Sequence, residues 1–140
     1  MRGQMMVFDR GDLDTALYEA AGEEVAAPRA DGRVVVGTTV EDAGFAAVTR
    51  EDDLGALEAW ARREIPGLGR REDAWAGLRP DAGRTLPVVG WAAPRVVAAV
   101  GHYRNGILLA PATGELVADL VLGRTPRLDP GPFAPSGPAG

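Results

Sequence analysis

The sequence contains no cysteine and no lysine, one histidine and one asparagine. Without cysteine there is neither a disulfide nor a thiolate metal site. A single histidine cannot build a multi-histidine centre, so no metal site is expected. All fifteen basic side chains are arginine, which stays charged and grips carboxylates through a planar fork. An Arg, Ala and Gly surplus of this kind reads first as GC-rich coding DNA. No apolar run approaches the roughly 18 residues of a membrane span, and no membrane contact is expected. The opening MRGQMMVFDRGD lacks the apolar stretch and cleavage site of a secretory leader, which points to the cytoplasm. The formal net charge of −5 argues against nucleic acid as a partner.

What is present reads as an ordinary globular chain. Its 140 residues suit one average domain, with 46% hydrophobic and 25% charged residues. Residues 3–8 (GQMMVF) read as a strand, and 11–21 as a weak helix or loop. Asp31-Gly32 lies between two extended runs and predicts a hairpin with a two-residue turn. Thr49 with Asp52 reads as a helix start, and Leu54, Leu57, Ala61 and Ile65 follow at helical spacing before Pro66-Gly67. Residues 72–78, 86–90 and 95–100 read as strands. A last helix is predicted around residues 111–122, with Pro111 in its first turn and Gly123 as its stop. Residues 124–140, RTPRLDPGPFAPSGPAG, read as a disordered Pro-rich tail. Clustered strands with few helices predict an α+β fold built on an antiparallel sheet.

Two stretches could carry chemistry. In GHYRNGILLAPATGELVADL, residues 101–120, the lone His102 and lone Asn105 flank Tyr103 and Arg104 on a glycine-bounded turn ahead of a helix. A helix N-terminus presents unpaired amides and partial positive charge, so it favours an anionic group in front of it. Gly101 and Gly106 would let a flat ligand approach the backbone. The same residues also read as a plain connection, with Asn105 as an N-cap and Arg104 on the surface. In WAGLRP, residues 75–80, Arg79 ends a strand and is followed by Pro80. Its guanidinium could hold a carboxylate through two parallel bonds, or simply pair with Asp73, Asp81 or loop carbonyls.

RGQM (2–5), PRADGRVVVGTTVED (28–42), WAGLRP (75–80), LPVVG (86–90) and the 101–120 segment run in an order that resembles one family. They look like the C-terminal part of the thiamine-pathway glycine oxidases, within the FAD-dependent D-amino-acid oxidase superfamily. GLRP and LPVxG are shared with sarcosine oxidases and D-amino-acid dehydrogenases, whereas GHYRNGILLAP is more specific to the glycine oxidase branch. The resemblance covers about residues 2–123. It implies an antiparallel sheet of the substrate domain, followed by a strand and helix that pack on the FAD domain. It implies residues 1–79 as part of the substrate domain, 80–123 as the segment returning to the FAD-binding domain, and 124–140 as the tail. It further implies that His102, Tyr103, Arg104, Asn105, Gly106, Ile107 and Leu108 lie against the flavin, and that Arg79 and Arg104 contact the amino-acid substrate. The implied reaction oxidises glycine or a small D-amino acid to an imine by hydride transfer to FAD, with oxygen reduced to peroxide. Orientation toward the ring supplies most of such catalysis, and no catalytic acid or base is assigned.

Two departures accompany the resemblance. The Gly-rich dinucleotide fingerprint that holds the FAD pyrophosphate does not occur in these residues. Val25 stands where the family has a tyrosine three positions before the Pro of P-R-x-D-G-R. The first departure leads us to expect no bound flavin in this chain alone, and catalysis only with an FAD-binding half. An orphan binding module, or one subunit of a split oxidase completed by a separately encoded FAD-binding chain, are the alternatives. A homo-oligomer is a further alternative among partners, beside the small amino-acid substrate.

Overall fold

The computed structural model describes residues 1–135. They form two compact units, the first Met1–Leu78 and the second beginning at Arg79. The architecture is α+β with antiparallel sheets, as the resemblance implied.

The first unit is a five-stranded sheet covered by one helix. Its strands are β1 (Arg2–Phe8), β2 (Leu17–Tyr18), β3 (Val25–Pro28), β4 (Val34–Gly37) and β5 (Arg71–Leu78), in the order β2-β3-β4-β1-β5. The register places Met6 opposite Val36 and Phe8 opposite Val34, with Ala26 also opposite Val36. Strand periodicity therefore puts all five side chains on one face. The helix α1 (Glu51–Glu64) lays Leu54, Leu57, Trp60 and Ala61 onto that face, and Ile65 closes its end. Met6, Phe8, Leu54 and Val36 are fully buried. Burying a large apolar side chain contributes about 1.5–3 kcal/mol, so this contact holds the unit together.

Local details depart from the sequence expectations in instructive ways. Residues 11–21 carry no helix; their only regular part is β2, paired to β3 through Leu17 and Tyr18. The β3–β4 connection spans residues 29–33 and is not a two-residue turn. Arg29 N–H donates to Arg33 O, Gly32 N–H donates to Arg29 O, and Gly32 alone takes a positive φ, of 86°. The helix α1 is capped at Arg50 without any side-chain cap, so Thr49 and Asp52 form no capping box. Gln4 on β1 replaces it: its Oε1 accepts the Arg50 N–H at 2.6 Å. Glu51, Asp52 and Asp53 in the first turn add charge complementary to the helix dipole.

The second unit holds a separate hairpin, β6 (Val88–Ala93) with β7 (Val96–Val100), so the strands make two sheets and not one. The helix α2 (Gly106–Leu122) packs on both strands. It starts five residues before the predicted boundary, and Pro111 therefore sits inside it. Leu108, Leu109 and Ala110 favour helix, and the Leu109 N–H already donates to Asn105 O. Pro111 then forgoes only the bond to the Ile107 carbonyl. Gly123 ends α2 with φ 65°, its N–H turned back to Asp119 and Leu120 carbonyls.

The tail is also more ordered than its composition suggests. A single 3-10 turn spans Gly131–Phe133, and Arg84 donates to the carbonyls of Pro132 and Ala134. The remainder of the predicted disordered stretch, residues 136–140, lies outside the described residues.

Candidate functional site

The turn between β7 and α2 is shaped by backbone conformations that most residues avoid. Gly101 takes φ 77°, and a Cβ there would overlap that of Ala82, so the loop 79–87 lies directly against it. Tyr103 takes φ 51°, left-handed for a residue with a side chain. Such a conformation costs on the order of 1–3 kcal/mol and persists only where the surroundings enforce it. The enforcement is visible: Tyr103 N–H donates to Pro80 O at 2.9 Å, and Asn105 N–H donates to His102 O at 2.9 Å.

These contacts bring two distant motifs together. The Arg79 guanidinium lies over the Tyr103 ring, 5.7 Å from its centroid. A guanidinium at this distance makes a cation–π contact with the ring, which contributes about 0.5–1 kcal/mol. An open cleft beside the ring is lined by Asp81, Gly83, Arg84, Thr85 and Tyr103. Arg104 is exposed on the same turn.

The remaining predicted residues point elsewhere. His102 Nε2 lies 2.9 Å from Thr113 Oγ1, so the imidazole is tied to the second turn of α2. Asn105 caps with its backbone only, having φ −101° and no side-chain hydrogen bond. The N-terminal amides of Gly106, Ile107 and Leu108 therefore face forward without an acceptor from the preceding turn. Ile107 and Leu108 are 95% and 78% exposed, whereas Leu116 on the opposite side is buried. An apolar first turn next to forward-facing amides suits the flat face and electron-rich edge of an aromatic cofactor.

Sequence reasoning missed three contributors: the Pro80 carbonyl, Thr113, and the close approach of Ala82. Gly101 was the one signal for the last of these, because a close backbone approach requires glycine.

Comparison with known proteins places this geometry in context. Residues 1–120 match the family described as FAD dependent oxidoreductase, DAO. A glycine oxidase of Pseudomonas aeruginosa is 37% identical across 98% of this chain, and one of Pseudomonas putida is 38% identical across 100% of it. A bifunctional protein ThiO/ThiG of a Synechocystis strain is 41% identical across 68% of the chain. The crystal structure of glycine oxidase from Geobacillus kaustophilus superposes on 99% of the chain with a TM-score of 0.86 at 29% identity. The chain spans only 39% and 40% of the two Pseudomonas proteins and 39% of the Geobacillus structure. By the family match over most of its length, this chain belongs to the FAD dependent oxidoreductases of the DAO family.

Proposed function

We propose that these 140 residues are the C-terminal portion of an FAD-dependent oxidase that dehydrogenates glycine or a small D-amino acid to its imino acid. The observation that carries the reading is the Arg79 guanidinium held over the Tyr103 ring, on a turn that opens a helix with exposed apolar residues. The 38–42% identity to glycine oxidases and the ThiO/ThiG relatives support placing the reaction in thiamine supply. A cytoplasmic place goes with this reading, and no helix among the described residues is long and apolar enough to cross a membrane.

Arg79 would hold the substrate carboxylate by two parallel hydrogen bonds, with Tyr103 fixing the plane of the fork. Arg104 would make the second contact on the same turn. His102, Tyr103, Asn105, Gly106, Ile107 and Leu108 would lie along the FAD ring, with Ile107 and Leu108 shielding it from water. The forward amides of α2 would stabilise negative charge at the edge of that ring. FAD, when bound, supplies the hydride acceptor and passes the electron pair to oxygen, giving peroxide. The chain contributes orientation: a carboxylate gripped at Arg79 leaves the substrate Cα–H one direction in which to point.

Because Arg104 would touch both ligands, Arg104→Ala in a full-length oxidase carrying these residues is expected to shift the flavin absorbance bands and lower turnover together. Turnover lost with an unaltered flavin spectrum would overturn the placement of this turn against the ring.

A further inference from the structure

The segment after α2 is fastened at both ends. At its start, the Arg124 N–H donates to Asp119 O at 2.9 Å, and its guanidinium donates to Asp119 Oδ1 at 2.8 Å. Asp119 is a buried acid, 8% exposed, so this is an anchor more than a surface pair. Arg127 adds a longer ion pair to Glu115, at 3.6 Å. At its far end, Phe133 and Leu128 close an apolar cleft whose walls include Val89 of β6 and Leu109, Ala112 and Leu116 of α2. Gly90 presents no side chain where the ring of Pro135 passes; a Cβ there would lie 2.9 Å from Pro135 Cδ.

Arg84 locks this end in place. Its Nη1 donates to Ala134 O at 3.1 Å and its Nη2 donates to Pro132 O at 2.5 Å, reaching 50 and 48 residues along the chain. Two charged bonds to the carbonyls on either side of Phe133 hold the plug by its backbone. The other end of that arginine is part of the loop 79–87, which begins with Arg79. Within this loop Asp81 accepts the Gly83 N–H, Pro80 accepts the Tyr103 N–H, Ala82 meets Gly101, and the Arg79 guanidinium lies over Tyr103. Arg84 also lines the cleft beside Tyr103.

We propose that Arg84 is a positioning residue: by latching the strap of residues 124–135 it fixes the loop 79–87, and so fixes the direction of Arg79. The link to the substrate rests on the carboxylate-binding role proposed for Arg79; the latch itself does not. The strap thus belongs to the site mechanically, through Arg84. Loss of the latch leaves the guanidinium of Arg79 chemically intact but less well aimed. Substrate that does bind still takes the same two-bond pose, so the loss falls on binding and should raise KM more than it lowers kcat.

The test has two arms. In the 140-residue chain, Arg84→Met keeps the aliphatic reach and removes the donors. Amide exchange is expected to accelerate about tenfold or more, both in residues 128–135 and in residues 79–87, with β1 and α1 unaffected. Phe133→Ala, which removes the plug and leaves Arg84, is expected to accelerate the same two segments. Acceleration confined to 128–135 in both variants, or none in either, would overturn the latch. In a full-length oxidase with these residues, Arg84→Met is expected to raise KM about fivefold with kcat and flavin content nearly unchanged, and Arg84→Lys to recover part of it. Coupled exchange with an unaltered KM would overturn the positioning role. A parent enzyme inactive on every small amino acid would instead refute the proposed substrate, and the exchange arm would still decide the latch.

Discussion

Arg79→Lys, in a full-length oxidase carrying these residues, is expected to lower kcat/KM for its amino-acid substrate at least tenfold while flavin content stays constant. Lysine preserves the charge and removes the planar pair of donors that matches a carboxylate. It also replaces a guanidinium whose Cζ lies 5.7 Å from the Tyr103 centroid by an ammonium that can still meet the ring but offers no planar fork. Truncating a buried charged contact costs about 2–5 kcal/mol. Arg79 is half-buried, which places the effect toward the lower end. Even about 1.4 kcal/mol is tenfold in rate. Steady-state kinetics across glycine and small D-amino acids would measure the loss, and flavin absorbance would report cofactor content. Full retention of kcat/KM would show that Arg79 does not grip the carboxylate. Loss of flavin in step with activity would move it from substrate to cofactor.

This prediction contrasts with the one for Arg104. The two arginines share a neighbourhood, but Arg79 comes from the loop after β5 and Arg104 from the turn before α2. If the roles are as proposed, one substitution changes substrate use alone and the other changes flavin and substrate together. A shared outcome would mean that the contact of Arg79 with Tyr103 only holds the turn in its left-handed conformation.

How much of this was legible in the sequence depends on the range of each interaction. The strand at β1 and the helix at α1 are written in local periodicity, and Met6, Phe8, Leu54 and Leu57 duly meet in one core. The cap of α1 is not local: Gln4 lies 46 residues from the amide it binds, and no spacing rule reaches that far. Strand identity likewise says nothing about partners, so β6 and β7 read like members of one sheet although they pair only with each other among the described residues. Composition made residues 124–135 look structureless, yet the Arg124–Asp119 pair, two backbone carbonyls held by Arg84 and one phenylalanine seat them. In the site, the rarity of His102 and Asn105 flagged the turn. The bonds that shape it, from Tyr103 to Pro80 and from His102 to Thr113, join residues whose proximity only the folded chain creates.

The largest expected effect on stability comes from a cluster with no place in the proposed chemistry. Arg2, 4% exposed, donates through Nε to Glu41 Oε2 at 2.5 Å, through a second nitrogen to the same oxygen, and to Val48 O at 3.0 Å. Gln4, fully buried, donates to the other Glu41 oxygen at 2.6 Å and to Asp53 Oδ2 at 3.0 Å. Together they pin the loop 41–50 and the start of α1 to β1. Arg2→Met removes the cation and leaves Glu41 with only the neutral donors Gln4 and Thr39. Breaking a buried ion pair costs about 3–5 kcal/mol. The Glu41 side chain is 19% exposed and water screens part of the charge, so about 2–3 kcal/mol is expected. Burial pushes the Glu41 carboxyl up, but hydrogen bonds from Thr39, Gln4 and Arg2, and the Arg2 charge, hold it below its ordinary value. A folded pKa below the unfolded one means that stability is present above the unfolded value, about 4.3, and is lost as pH falls through the folded value. The penalty of Arg2→Met should therefore be largest near neutral pH and shrink under acid, where Glu41 is protonated in parent and variant alike. Arg2→Met with Glu41→Gln should recover part of the loss at pH 7, because no uncompensated charge remains. Opening free energies from amide exchange in β1 and β4, followed against pH, measure all three. A penalty independent of pH and not relieved in the double variant would mean that Arg2 acts through packing of its aliphatic stem, and that its charge contributes nothing.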